Sequence, residues 1–315
     1  MPRNASQSRT ADVAKPLGLE KRLRAFTEAF SIEVTPRDEA EVSSFSDLLP
    51  LQTAVHITHL LNVPLSNSLT AVSRLSREGM RPVPHIAARN LTSAAELEDF
   101  LKRASDEAGL NQIMLIGGGA SKPKGPFEDA LQVLDTGLFD RFGVSTIGIA
   151  GHPEGSPDVG DQALRDAMHE KADHARRNGT RMHIVTQFFF DAAPVIEWEI
   201  RLREDGIKLP IQVGLHGVTT TKQLVQYGIK CGIGSSLKML TRQRARLLQL
   251  AAVREPGGLL LDIVRHNANT PQSLFATPHF FPLGGFSATA KWIGAIIRGD
   301  FEIDQDAQVL RVSVT

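Results

Sequence analysis

The chain has few of the residue types that mark disulfide-bonded, metal-cluster or membrane proteins. It contains 315 residues with Cys231 as its only cysteine, which excludes an intramolecular disulfide and a cysteine-cluster metal site. Basic and acidic residues number 35 each, and this balance argues against nucleic acid or an anionic membrane as main partner, since both require a basic excess. No apolar run approaches the roughly 20 residues that a membrane-spanning helix needs. We therefore expect a cytoplasmic protein.

The N-terminal segment differs in composition from the rest of the chain. Residues 1–18 contain serine, alanine, arginine and lysine but no apolar stretch, so they do not form a secretory signal. An organellar leader is the alternative, but Asp12 and the low aromatic content favour a frayed tail. No linker rich in proline, serine or glycine divides the remainder. We predict a disordered tail over residues 1–18 and one domain over residues 19–315.

From residue 30 onward, short β-rich runs alternate with longer amphipathic ones. Strands are predicted at residues 30–35, 54–59, 81–88, 112–117, 145–151, 181–188, 210–215 and 279–283. Helices are predicted to follow them at residues 38–49, 66–77, 93–108, 127–136, 162–178, 192–205, 219–227 and 288–298. Eight repeated βα units with strands apolar on both faces indicate an α/β fold, a (β/α)8 TIM barrel. Residues 234–269 add a predicted helical insertion between strands seven and eight.

A doubly wound open sheet is the structural alternative, but no Gly-x-Gly-x-x-Gly follows the first strand. Barrel enzymes carry their chemistry at the carboxyl ends of the strands. On the first strand, alternation sets Glu33 out of phase with Ile32 and Val34, so it points into the barrel if those two face the helices. Burial raises the pKa of such a carboxyl group, which suits a general acid. A salt bridge to an arginine at the barrel mouth is the alternative.

Three histidines near the predicted strand ends, His59, His85 and His152, raise the question of a metal site. Their spacing lacks a His-x-x-x-His pair, and no aspartate joins them in sequence, so we predict no metal. The triplet Gly117, Gly118 and Gly119 precedes Lys122 and Lys124. Such a loop could present backbone N–H groups and two lysines to an anion, although a plain flexible turn has the same glycines.

The most informative stretch is Thr186-Gln187-Phe188-Phe189-Phe190-Asp191, between an apolar strand and an amphipathic helix. It sets Gln187 at the barrel mouth, where an amide can donate and accept hydrogen bonds to a heterocycle. Further motifs are Phe30-Ser-Ile-Glu33, Pro84-His85, His152-Pro-Glu154, and Val213-Gly-Leu followed by Lys222-Gln223. Through these motifs the chain resembles the methylenetetrahydrofolate reductase family over about residues 30 to 296, although the similarity is distant outside the motifs.

The resemblance implies an oxidoreductase that interconverts 5,10-methylenetetrahydrofolate and 5-methyltetrahydrofolate, with FAD as cofactor and NADH or NADPH as hydride source. It implies that Glu33 is the catalytic acid, and it leaves open whether the chain forms a homo-oligomer. The folate contacts that it implies are Gln187, Gln223, Tyr227 and Leu283. The cofactor contacts that it implies are Thr58, His59, His85, Gly117, Gly118, Gly119, His152, Glu154 and Arg176.

The sequence departs from the family on the flavin side. The family carries an Arg-Gly-Asp triplet where this chain has three glycines, and a tyrosine where it has His152. A family lysine aligns near Ala175, with Arg176 or Lys171 as substitutes. We expect FAD to be retained, with glycine amides at its phosphates. The alternatives are a flavin-independent reductase with direct hydride transfer, a non-redox tetrahydrofolate-binding barrel, and a barrel for another phosphorylated small molecule.

Overall fold

The computed structural model describes residues 18–230, 252–304 and 309–314, with the side chains of residues 37, 38 and 230 outside the description. Eight parallel strands close into a barrel in chain order, which confirms the predicted (β/α)8 fold. The barrel strands are β1 (Ser31–Val34), β2 (Ala54–Ile57), β3 (Arg81–Ala87), β4 (Gln112–Ile116), β5 (Thr146–Gly151), β6 (Arg181–Thr186), β7 (Ile211–His216) and β10 (Phe275–Phe281). Residues 1–17 of the predicted tail lie outside the described residues.

Helices cover the barrel on its outer side. They are α1 (Leu19–Glu28), α2 (Pro36–Glu41), α3 (Ser68–Arg77), α4 (Ala94–Ala108), α5 (Ala130–Leu134), α6 (Leu138–Arg141), α7 (Asp161–Asn178), α8 (Ala192–Glu204), α9 (Thr221–Lys230), α10 (Gly257–Asn269) and α11 (Phe286–Arg298). Two small antiparallel sheets complete the described part of the chain: β8 (Thr219–Thr220) with β9 (Val253–Arg254), and β11 (Phe301–Asp304) with β12 (Val309–Val312).

Local sequence signals set the ends of several helices. At the start of α4, the Ser93 hydroxyl accepts a hydrogen bond from the Glu96 N–H, while the Glu96 carboxylate accepts one from the Thr92 N–H. This reciprocal arrangement satisfies N–H groups that the first helical turn leaves unpaired. Gly109 then ends α4 in the left-handed conformation that glycine adopts without steric penalty.

Two predicted helices are shorter or broken. The helix predicted at residues 38–49 ends at Glu41, because the Glu78 carboxylate takes the Phe45 N–H and turns continue to residue 49. The helix predicted at residues 127–136 begins only at α5, where the Asp129 side chain caps the first turn. A left-handed Gly137 then separates α5 from α6.

Other elements were not predicted. The strand predicted at residues 279–283 begins four residues earlier, as β10. Helix α1 packs against α10 and α11, and β11 and β12 form a hairpin near the C-terminus. Within the predicted insertion at residues 234–269, α10 is described, whereas residues 234–251 lie outside the described residues.

The barrel strands divide their side chains between two environments. Ile32 and Val34 on β1 belong to the large apolar core between strands and helices. A separate small cluster of Ala54, Val83, Met114 and Val185 fills part of the lumen. Ile116 and Ala150 pack against this cluster. Side chains alternate across each strand, and the polar residues on the lumen side include Ser31, Glu33, His56, His85, His183, Gln212 and His279.

Candidate functional site

Glu33 lies on the lumen side of β1, between two side chains that face the helices. Its Oε2 is 3.6 Å from Nε2 of His85 on β3, and its side chain is 17% exposed. Burial, followed by the nearby His59, lowers the pKa of His85 from its ordinary value to about 3. The imidazole that faces the Glu33 carboxyl group is therefore neutral near pH 7.

Three further histidines share this lumen, and the sequence analysis did not single them out. His56 Nδ1 is 3.2 Å from His85 Nε2, and the His56 ring is 4.5 Å from the ring of His279. Burial and the neighbouring histidines lower the pKa of His56 and of His279 well below the ordinary value. His183 lies on β6, and burial lowers its pKa to about 4. The alternation of side chains along a strand could have identified them, because residues separated by an even number share a face. His56 precedes Thr58 by two residues, and His183 precedes Gln187 by four.

Gln187 follows β6 at the mouth of the barrel. Its backbone N–H donates to the Gly151 carbonyl oxygen at 3.2 Å. The next residue, Phe188, is buried, and its ring is 5.8 Å from the ring of Phe281 on β10. The Phe281 ring is in turn 4.6 Å from that of His279. Aromatic contacts thus connect Phe188, the residue after Gln187, to His279 in the barrel lumen.

Gln223 and Leu283 meet at a second corner of the mouth. The Thr219 hydroxyl is 2.7 Å from Oε1 of Gln223 and 3.2 Å from the carbonyl oxygen of Leu283. Oε1 of Gln223 also accepts from the Thr220 hydroxyl, whereas its Nε2 makes no hydrogen bond to the described part of the chain. Tyr227 lies one turn further along α9 and is half-buried. Within the described part of the chain, the Nε2 donor of Gln223 is therefore not used.

Two residues with implied flavin contacts bond within the protein. The Thr58 hydroxyl donates to the Val34 carbonyl oxygen at 3.3 Å. His59 Nδ1 accepts from the Ala87 N–H at 3.2 Å, so its Nε2 carries the proton and donates to the Val63 carbonyl oxygen at 3.0 Å. Both ring nitrogens of His59 are thus used, and burial lowers its pKa.

The glycine triplet follows β4 and lies against the loop after β3. The Gly117 carbonyl oxygen accepts from the Arg89 N–H at 2.9 Å, and the Lys124 N–H donates to the Arg89 carbonyl oxygen at 3.0 Å. Gly118 has a φ of 89°, and a Cβ there would lie 3.0 Å from Cβ of Ala87. The triplet itself brings no cation and no carboxylate to the mouth.

Of three other residues with implied cofactor contacts, His152 and Glu154 lie together, whereas Arg176 lies apart from them. His152 and Glu154 line a cavity of about 510 Å³ together with Lys171 of α7. Burial and the charge of Lys171 lower the pKa of His152 to about 4, and burial lowers that of Lys171. Arg176 lies in the last turn of α7, 77% exposed and 3.0 Å from Asp173, at the end of the barrel where β6 begins. Lys171 and Arg165, not Arg176, are the basic residues of α7 that line the cavity with His152.

Neither a metal centre nor a membrane span is found in the part of the chain that the structure describes. No three histidine, cysteine, aspartate or glutamate residues there are arranged to hold a metal ion. No helix there is both long enough and apolar enough to cross a bilayer.

Comparison with known proteins decides the family. The family model for methylenetetrahydrofolate reductase matches residues 19–238. The chain belongs to this family. Among solved structures, an uncharacterized protein from Clostridium thermocellum that binds two copies of 5-methyl-5,6,7,8-tetrahydrofolic acid matches with a TM-score of 0.52 and 12% identity, over 89% of this chain and 96% of that one. At this identity the match supports the barrel fold of the reductase family alone.

A second match is weaker. The intracellular xylanase TsXylA of Thermoanaerobacterium saccharolyticum matches with a TM-score of 0.41 and 11% identity, over 82% of this chain and 87% of that one.

Proposed function

We propose that this protein interconverts 5,10-methylenetetrahydrofolate and 5-methyltetrahydrofolate, with NADH or NADPH as hydride donor. The observation that carries the proposal is the Glu33 carboxyl group, held inside the barrel 3.6 Å from a neutral histidine in a member of the methylenetetrahydrofolate reductase family. A site for folate binding alone would not need an acid at this position. The binding of 5-methyltetrahydrofolate by a protein of the same fold adds support for the substrate class.

Glu33 has the chemistry of the acid step. Methylenetetrahydrofolate carries a carbon bridged between two ring nitrogens, and protonation of one nitrogen opens the five-membered ring to a methylene-iminium cation. Hydride addition to that carbon then gives the methyl group, so one proton and one hydride are consumed per turnover. Glu33 donates the proton, and its carboxylate then stabilises the cation.

The two glutamines orient the pterin ring. Because the Oε1 atom of Gln223 is held by Thr219 and Thr220, this residue offers its Nε2–H to a ring acceptor. Gln187 directly follows β6 at the mouth of the barrel, and its amide can donate or accept. Tyr227 lies four residues after Gln223 on the same face of α9, so both can contact one ligand. Fixing the ring in this way aligns the carbon with the hydride donor.

The residues with implied flavin contacts fit FAD poorly. Reduced FAD, when bound, supplies the hydride in this family. Here both ring nitrogens of His59 are consumed, Arg176 lies at the far end of α7, and the glycine triplet offers only backbone groups. These contacts favour direct transfer from the nicotinamide ring to the folate. Deuterium at C4 of the nicotinamide should then appear in the product methyl group, and the purified protein should lack a flavin absorption band. A yellow protein whose product is unlabelled would reverse this preference.

The acid role is tested by Glu33→Gln, which keeps the size of the side chain and removes its proton. We expect turnover to fall about 10²-fold or more, the reach of a general acid, while calorimetry detects nearly unchanged binding of 5-methyltetrahydrofolate. Glu98→Gln on α4 is the matched control, since it removes only a surface ion pair with Arg141. A near-normal rate for Glu33→Gln would remove Glu33 from the mechanism.

A further inference from the structure

The histidine that faces Glu33 is itself held by a second histidine. His85 Nε2 lies 3.2 Å from His56 Nδ1 and 3.6 Å from Glu33 Oε2. The two imidazole rings meet edge to face, at an interplanar angle of 88°. Register pairing of β1 with β2 sets His56 directly beside Glu33 on the neighbouring strand. One nitrogen of His85 is therefore shared between the carboxyl group and His56.

Hydrogen-bond accounting assigns the proton between the two rings. His56 is fully buried, and its Nε2 makes no hydrogen bond within the described part of the chain. A buried N–H without a partner is rarer in proteins than an unpaired acceptor, so the proton of His56 belongs on Nδ1. Nδ1–H then donates to His85 Nε2. His85 consequently carries its own proton on Nδ1, and its Nε2 offers no N–H to the Glu33 carboxyl group 3.6 Å away.

The same accounting holds for the neighbouring His279. The Ser31 hydroxyl donates to Oε1 of Gln212 at 3.1 Å, so it can only accept from His279 Nδ1 at 2.8 Å. His279 Nε2, like that of His56, is a buried atom without a hydrogen bond in the described chain. The lumen therefore holds several neutral rings protonated on Nδ1.

We infer that His56 is a positioning residue for Glu33, acting through His85. This inference rests on the proposed function, in which Glu33 is the acid. By donating to His85 Nε2, His56 fixes the ring orientation and the tautomer of His85. Because His85 Nε2 then offers no N–H to a carboxylate, it does not stabilise the ionised form of Glu33, and the proton stays available for the substrate nitrogen. His56 touches neither substrate nor hydride donor in this scheme.

Three substitutions at His56 separate this role from simple packing. The amide nitrogen of asparagine lies near the place of Nδ1, that of glutamine near the place of Nε2, and leucine has no donor. We expect His56→Asn to stay within about threefold of the normal kcat, while His56→Gln and His56→Leu lose about tenfold. The KM for methylenetetrahydrofolate should change little in all three, because the folate contacts lie elsewhere.

His183→Leu is the matched control. It removes another buried imidazole from the same lumen, and His183 makes no hydrogen bond to His85. Its kcat should stay near normal. Equal kcat values for the leucine and asparagine variants at position 56, or a loss that appears in KM instead of kcat, would overturn the inference. If these results occur while Glu33→Gln is still impaired, the proposed function stands and only the role of His56 fails.

A spectroscopic measurement on the unaltered protein needs neither turnover nor a stable variant. Nitrogen-15 NMR of the histidine side chains distinguishes protonated from unprotonated ring nitrogens. We expect Nε2 of His85 to be unprotonated and Nδ1 of His56 to be protonated near pH 7. The opposite tautomer of His85 would overturn the inference whatever the activity. If the unaltered protein shows no folate-dependent turnover, the proposed function fails and the role of His56 fails with it.

Discussion

Acidification should destabilise this protein well above the pH at which carboxylates titrate. Five histidines, His56, His85, His183, His216 and His279, are at most 7% exposed, and burial lowers the pKa of each. In the unfolded chain their pKa is about 6.5. The unfolded state therefore binds more protons below that pH, and stability that is fully present above it is lost as the pH falls.

The size of the effect follows from the lowered pKa values. His183 and His216 have a pKa of about 4 in the folded protein. Each such group contributes a slope approaching about 1.4 kcal/mol per pH unit, or about 2 kcal/mol between pH 7 and pH 5. The loss should slow below pH 4, where His183 and His216 are also protonated in the folded state. The five together would remove most of the 5–15 kcal/mol by which proteins are typically stable.

Urea unfolding at pH 7, 6 and 5, followed by tryptophan fluorescence, measures this slope. His183→Asn removes one titrating group. The free energy of unfolding of this variant should therefore fall less steeply as the pH decreases, by up to about 1.4 kcal/mol per pH unit. His169→Asn is the control, because it removes an imidazole that is 44% exposed and solvated in both states. An unfolding free energy that is the same at pH 7 and pH 5 would refute the reasoning.

Two further substitutions test how the barrel is packed. Gly148→Ala should cost about 1–3 kcal/mol of stability, because a Cβ there would lie 2.8 Å from the sulfur of Met114. In the same urea assay Gly160→Ala, where nothing lies within 4 Å, should cost less than about 1 kcal/mol, the difference between Gly and Ala at the N-cap of α7. Glu199→Ala should cost about 3–5 kcal/mol, because it leaves Arg203 without the fully buried carboxylate 2.8 Å away. A thermal midpoint unchanged by Glu199→Ala would contradict this account of the ion pair.

The barrel could be predicted from sequence because its signals are local. Each βα unit shows an apolar strand, a turn and an amphipathic helix within one short stretch, and eight repetitions leave few architectures. The predicted helix bounds were wrong where a residue far away in the sequence sets the end of a helix. The Phe45 N–H is taken by Glu78, 33 residues away, and no local pattern shows that the helix before it must end. Hairpin β11–β12 is short and was likewise not predicted.

The site was predictable only in part. Glu33 and Gln187 could be proposed from strand ends and alternation, which depend on neighbouring residues. Alternation could place His56 in the lumen, but its contact with the ring of His85, 29 residues away on the neighbouring strand, could not be predicted. Arg176 was chosen because it lies next to the position that aligns with a family lysine, but it falls in the last turn of α7, at the end of the barrel where β6 begins. A single sequence does not show which residues of different strands lie close together across a barrel.

Product analysis of one reaction tests the central claim most directly. The purified protein is mixed with 5,10-methylenetetrahydrofolate and NADH or NADPH, and the folates are identified by mass spectrometry. We expect 5-methyltetrahydrofolate to form in step with oxidation of the nicotinamide, one molecule for each. Failure to form it with either nicotinamide, with or without added FAD, would contradict the proposed function.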